Sequence, residues 1–195
     1  MFFPVPPGLG YPVLAALVFG ESTGLPLPGE TALITAGGLA AAGHLSLPLV
    51  VAVAVLAAIS GDTLGYWLGR RRGRAFLQRD GLLAGHRRHA VAHADRFFAR
   101  NGTATVLVSR FVPGVRVVAA VMAGTTQMPW RRFAAANTLG ALLWASTVAT
   151  VAYILGPAGA ASLALTGLGL GALVGAGAWW RARRTRARGT LATTS

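Results

Sequence analysis

The chain has 195 residues, of which 54% are hydrophobic and only 12% charged, with a mean hydropathy of +0.57. A soluble domain of this length is about one-quarter charged, so the composition excludes an ordinary soluble fold and points to an all-α integral membrane protein with one membrane domain over 1–180. The formal net charge of +13 comes wholly from arginine and lies beside apolar runs, where the positive-inside rule and anionic headgroups account for it without a nucleic-acid partner.

There is no cysteine, hence no disulfide, thiol nucleophile or thiolate metal site. Residues 1–20 contain no Lys or Arg, so the charged n-region of a signal peptide is missing. Residues 9–20 are apolar but end at Glu21 and a run of prolines, and 31–43 are apolar and again short. Helical arms of ~12–16 residues reach about 18–24 Å, less than the ~30 Å hydrocarbon core. This pattern predicts a re-entrant hairpin over 9–43 with its tip at Pro26–Pro28. Residues 45–69 then predict a full transmembrane helix ending in Tyr66-Trp67, a pair that suits a membrane interface.

Nine arginines fall within 70–100, which reads as a cytoplasmic loop. Its last part, from His86 to Arg100, carries Val91, Ala94, Phe97 and Phe98 at helical spacing and predicts an amphipathic helix on the inner leaflet. His86, His89 and His93 share one face of that helix; a solvated face explains them better than a metal site. Residues 103–128 are apolar around Pro113-Gly114 and have arginines on both flanks, which predicts a second re-entrant hairpin, from the cytoplasm. Two further transmembrane helices follow at 133–156 and 158–180, separated by Gly156-Pro157, and a basic tail over 181–195 places the C-terminus inside. The glycine-rich run 167–177 lacks the Lys-Ser/Thr of a phosphate loop and reads as close helix packing.

Taken together, the arginine-rich flanks predict two opposed re-entrant hairpins plus about three full spans, an inverted-repeat construction that many transporters build around a midplane site. Two echoes support a repeat. Asp62-Thr-Leu-Gly65 matches Asn137-Thr-Leu-Gly140, and Tyr66-Trp-Leu-Gly69 matches Tyr153-Ile-Leu-Gly156. They need different gap placements, so at most one is a true register.

The two breaks carry charges of opposite sign. The first reads Glu21-Ser-Thr-Gly-Leu-Pro-Leu-Pro28-Gly29-Glu30, the second Ser109-Arg110-Phe-Val-Pro113-Gly114-Val-Arg116. A charge at the bilayer centre costs roughly 2.5–3.5 kcal/mol on insertion scales, so four cost about 10–14 kcal/mol before pairing. Broken helix is tolerated at that depth only where the backbone is buried in protein or lines a wet cavity. Two acids and two arginines at such breaks are the makings of a membrane-embedded polar site. The plainer readings are a solvated loop for Glu21 and Glu30, and structural neutralisation of those acids for Arg110 and Arg116. Gly29 and Gly114 permit the turns and also leave room for a headgroup. Asp62 either pairs within the bundle or joins a proton path.

These motifs, with Gly61-Asp62-Thr-Leu-Gly65-Tyr66-Trp-Leu-Gly69-Arg70, Phe98-Ala-Arg-Asn-Gly102 and Ala123-Gly124-Thr-Thr-Gln-Met128-Pro-Trp-Arg-Arg-Phe133, resemble the DedA (SNARE-associated, VTT-domain) family over about residues 10–156. The resemblance implies a bacterial inner-membrane protein with two facing re-entrant hairpins that moves lipids between leaflets, notably undecaprenyl phosphate. It also implies essential roles for Glu21, Glu30, Arg110 and Arg116, with Asp62 at a matching position. On this reading Arg110 and Arg116 bind the lipid phosphate, Glu21 and Glu30 hold them when the site is empty, and proton uptake by a glutamate couples lipid movement to the proton gradient. A phosphatidylethanolamine flippase or scramblase, and a proton-coupled exporter of small solutes or cations, use the same charges. Ser109-Arg110 resembles part of a phosphatase signature, but no His lies in either hairpin and the Pro-Ser-Gly-His element is absent, so no enzyme, cofactor or metal site is expected. The expected partners are membrane lipids and protons, and a homo-oligomer is compatible with the chain.

Overall fold

In the computed structural model the described residues are 7–73, 98, 100–111 and 115–191, and every regular element among them is helical. In chain order these are α1 (Pro7–Thr23), α2 (Gly29–Ala41), α3 (Leu47–Leu68), α4 (100–109), α5 (Val115–Thr125) and α6 (Trp130–Leu191). The expected amphipathic helix with its three histidines, and the break at Pro113-Gly114, lie outside the described residues.

The break in the first apolar stretch has a local cause. Gly24 adopts φ 99°, its N–H donates to Glu21 O and that of Leu25 to Gly20 O, which is the closure of a Schellman motif. Pro26 and Pro28 then bar any helical continuation until Gly29. After α5 the chain repeats the device with Gln127 at φ 56°, its N–H reaching Gly124 O and that of Met128 reaching Ala123 O. The elements flanking the two breaks are short: α2 has 13 residues and α5 has 11, about 20 Å and 17 Å of helix against a ~30 Å core.

Two helices, Leu47–Gly73 and Trp130–Gly169, are long and apolar enough to cross a membrane. The second is not continuous. Gly156 takes φ 70°, ψ −179°, and Pro157 follows, so α6 consists of two arms meeting at that residue. α2 packs into the angle between them. A Cβ on Gly37 would meet Ala149 O and Ala152 Cβ at 2.8 Å on the first arm, and one on Gly38 would meet Ala160 Cβ at 2.6 Å on the second. The second arm continues as helix beyond 180 to Leu191. Arg and Ala are good helix formers, and no Pro interrupts them there.

The central core joins Leu14 and Val18 of α1, Leu33 of α2, Val50, Ala54 and Ala58 of α3, and Trp144, Ala145 and Ala149 of α6. A stripe on α3 and its extension sets how closely the others approach. Gly61, Gly65, Gly69 and Gly73 recur every four residues and face one side. Gly61 receives Ser22 and Phe19 O of α1, Gly65 lies against Ala120 of α5, and at Gly69 an added Cβ would overlap Val121 O of α5. Gly124 of α5 reciprocates, since a Cβ there would overlap Tyr66 O. Helices in lipid gain little from burying apolar surface against each other, so this backbone approach is what holds α1 and α5 to α3. A π turn over Gly69–Gly73 widens the end of α3 beside α5.

One expectation is corrected here. Tyr66 is not an interfacial anchor but is fully buried, stacked on Phe133 at 4.4 Å between ring centres. Its hydroxyl donates to Met128 O at 2.6 Å and accepts from Arg70 Nη1 at 2.7 Å. The tight α3–α5 contact brings Met128 O within its reach, so the polar tip is satisfied by protein instead of headgroups. Trp67, its neighbour, remains on the surface.

Candidate functional site

Glu21 sits in the last turn of α1, where the helix dipole disfavours an anion. Its carboxylate is stabilised from elsewhere. Glu21 Oε2 accepts the backbone N–H of Glu30 at 2.7 Å, at the start of α2, a helix whose N-cap position is held by Pro28 with no side-chain cap of its own. One side chain thereby closes the first break and caps the next helix from outside it. Gly29 makes this approach feasible, because a Cβ there would overlap Glu21 Oε2 and come within 2.9 Å of Leu17 O and Val18 Cα.

Arg110 follows α4, and Arg116 is the second residue of α5, so the two ends of the second break each deliver one guanidinium. Both are buried, at 3% and 7% exposure, and Asp62 of α3 is buried at 1%. Arg110 Nη2 donates to Asp62 Oδ2 and, at 2.7 Å, to Asn137 Oδ1 of α6. Arg116 Nε lies 3.7 Å from Asp62 Oδ1, while its Nη2 lies 3.5 Å from Glu21 Oε1. The Arg116 guanidinium also covers the ring of Trp144 at 5.5 Å, a cation–π contact on its apolar face. The acidic first break and the basic second break therefore meet, with Asp62 between the two arginines.

Three of the chain's five acidic residues belong to this cluster, and three carboxylates against two guanidiniums leave one formal negative charge. Glu30 carries the excess. Its backbone joins the cluster, but among the described residues its carboxylate forms no ion pair. Hydrogen-bonding capacity is also left over. Arg110 Nη1, Arg116 Nε and Asp62 Oδ1 are buried without a hydrogen-bond partner. A buried, unsatisfied polar atom costs about 1–3 kcal/mol, more when charged, so the two guanidinium donors, Arg110 Nη1 and Arg116 Nε, favour an anion that reaches them. No water-sized space remains between Asp62, Arg110, Arg116, Phe133 and Asn137, so the cluster is closed.

Of the residues singled out in the sequence, Glu21, Asp62, Arg110, Arg116, Pro28, Gly29 and the Glu30 backbone come together. Arg110 is held by Asp62 and Asn137 rather than by a glutamate. Pro113 and Gly114 lie outside the described residues. Sequence reasoning missed Asn137 as a partner of Arg110, although its place opposite Asp62 in the repeat was a usable signal. The glycine stripe 61–73 was missed too, although its four-residue spacing is a recognisable close-packing pattern. Among the described residues, no group of three His, Cys, Asp or Glu is placed to hold a metal ion.

The VTT domain model matches residues 27–154, which spans α2 to the first arm of α6. An uncharacterized membrane protein of Synechocystis sp. is 39% identical over 144 residues, covering 72% of this chain and 66% of the relative. An uncharacterized membrane protein of Mycobacterium tuberculosis is 38% identical over 162 residues, covering 79% and 72%. The protein named DedA of Escherichia coli is 35% identical over 152 residues, covering 75% and 68%. This chain thus spans about two-thirds of the length of the relatives it matches. No solved structure matches it.

Proposed function

The chain belongs to the VTT-domain (DedA) family of membrane proteins, and on that premise we propose that it carries a lipid phosphate, such as undecaprenyl phosphate, between the leaflets of the bacterial inner membrane. The observation that carries this reading is the pair of buried arginines, held by acids yet retaining unspent donors. Guanidinium binds phosphate oxygens with the same fork geometry that it offers a carboxylate, so a phosphate headgroup takes the place of Glu21 on Arg116 once that carboxyl is protonated. The lipid tail meanwhile stays in the hydrocarbon.

In this mechanism α1–α2 and α4–α5 are opposed re-entrant hairpins, and α3 and the two arms of α6 are the spans. The arginines at 70–72, 100, 131 and 132 mark the cytoplasmic side. In the closed cluster Asp62 and Glu21 hold the two arginines. Proton uptake by Glu30 removes the excess negative charge, whereas uptake by Glu21 removes the charge that holds Arg116 and frees that guanidinium for the headgroup. The reaction is transport without bond cleavage, so the protein is not an enzyme.

The test is headgroup translocation in proteoliposomes with Arg110→Ala, Arg116→Ala, Glu21→Gln and Glu30→Gln, with and without an imposed pH gradient. The arginine variants lose translocation, and the glutamine variants lose its response to the gradient. Parent-like rates in all four would end this reading. Translocation of a small cation with no effect of added lipid phosphate would move the assignment to an exporter.

A further inference from the structure

We infer a second anion site, distinct from the buried ion cluster: the cleft of about 440 Å³ between α4 and the turn joining α5 to α6, which binds a phosphate group through Arg100 and Arg132. Its polar lining is Arg100, Asn101 and Thr103 on one wall and Thr126, Gln127 and Arg132 on the other. Its volume lies within the ~300–1,000 Å³ of ordinary small-molecule sites. None of the described residues lining it is acidic. Both arginines are exposed and neither forms an ion pair among the described residues, in contrast to Arg110 and Arg116. Two cations facing one cleft with amide and hydroxyl groups between them select an anion with several acceptor oxygens, and α6 begins in the same wall, adding the positive end of its dipole.

The position of the cleft relates it to the inner cluster. Met128 lines the cleft and packs with Val106, Ala120 and Phe133 in a single apolar cluster. Val106, Ala120 and Phe133 in turn line the closed space around Asp62, Arg110 and Arg116. The cleft and the ion cluster are thus the two sides of one apolar layer. An anion in the cleft occupies a waiting position, and displacement of Met128 and Phe133 connects it to Arg110. This rests on the reading of the cargo as a lipid phosphate. The cleft itself requires only a phosphate group, whether on a lipid or free.

The experiment is native mass spectrometry of the full chain in detergent, titrated separately with farnesyl monophosphate, farnesol and inorganic phosphate. The parent binds farnesyl monophosphate and not farnesol. Arg100→Gln with Arg132→Gln weakens that binding about tenfold or more, as expected for loss of two charge-assisted contacts, while Arg100→Lys with Arg132→Lys retains most of it. Both side chains are exposed, so the melting temperature of either double variant stays at the parent value. Arg116→Gln leaves cleft binding intact even where translocation is lost. Parent-like affinity in the Arg100/Arg132 glutamine variant overturns the cleft and leaves the transport reading standing. Equal binding of inorganic phosphate and farnesyl monophosphate, lost in the same variant, upholds the cleft as a site for free phosphate and removes support from the lipid cargo.

Discussion

Asp62 of α3 and Asn137 of α6 both accept from the same nitrogen, Nη2 of Arg110. The two residues begin the echoed segments Asp62-Thr-Leu-Gly65 and Asn137-Thr-Leu-Gly140, and the glycines that end those segments also play matching parts. Gly65 lies against Ala120 of α5, and Gly140 against the Arg110 side chain. The other echo pairs residues in unlike surroundings, Tyr66 fully buried and Tyr153 42% exposed. One position of the repeat supplies a charge and the other only a dipole, so Arg110 is held by one ion pair instead of two.

That asymmetry predicts the effect of making the repeat symmetric. Asn137→Asp gives Arg110 a second carboxylate, holds it more tightly and slows headgroup translocation, with the fold intact. Asn137→Ala removes a hydrogen bond to a charged group and costs about 1.5–3 kcal/mol of stability. Translocation in proteoliposomes and thermal melting, measured on both variants, separate the two effects. Unaltered translocation by Asn137→Asp would show that Arg110 need not be released.

The buried ion pairs are unequal, and their removal is ordered accordingly. Asp62 is nearly inaccessible and faces both guanidiniums, whereas the Glu21 side chain is 20% exposed and faces one. Breaking a buried pair by removing one partner costs about 3–5 kcal/mol, because a charge is left unpaired. Asp62→Asn therefore falls in that range and Glu21→Gln well below it, as read by unfolding in detergent. The reverse order would place Glu21 deeper in the electrostatics than its exposure indicates.

Glu21 has two separable roles, an acceptor for the Glu30 N–H and a charge for Arg116. Glu21→Gln keeps an acceptor oxygen and removes the charge; Glu21→Ala removes both. The alanine variant is expected to be less stable than the glutamine variant by about 1 kcal/mol, the usual worth of a helix cap, while both lose the response of translocation to the pH gradient. Equal melting temperatures would show that the carboxylate does not cap α2.

The glycine stripe makes a graded prediction. Gly69→Ala and Gly124→Ala place a methyl on a backbone carbonyl of the neighbouring helix, which cannot move without separating α3 from α5. Each is expected to cost about 1–3 kcal/mol or more. Gly65→Ala meets Ala120 Cβ at 3.6 Å, ordinary contact, and is tolerated. Gly167→Ala has nothing within 4 Å and serves as the neutral control. Melting temperatures should follow that order.

Much of the architecture was legible because it depends on local chemistry. Apolar run lengths, the prolines at 26 and 28, and Gly156-Pro157 mark where helix can and cannot continue, and α1, α2, α3 and the break in α6 follow from them. Charges at the two breaks announced a costly site in the same way. Tyr66 was misread because its aromatic ring and hydroxyl suit an interface in isolation, and only the approach of Met128 O supplies a buried partner.

Partner choice within the site was not legible. Sequence by itself determined that two acids and two arginines stand at helix breaks inside apolar stretches, since hydrophobicity and the loss of helical hydrogen bonds at Pro and Gly are properties of neighbouring residues. Tertiary structure alone decided that Asp62 lies between Arg110 and Arg116, that Asn137 completes the hold on Arg110, and that Glu30 keeps a carboxylate without an ion pair. Ion pairs form over a few ångströms, and the helices that bring these groups together are set by a stripe of glycines whose backbone contacts come from other parts of the chain.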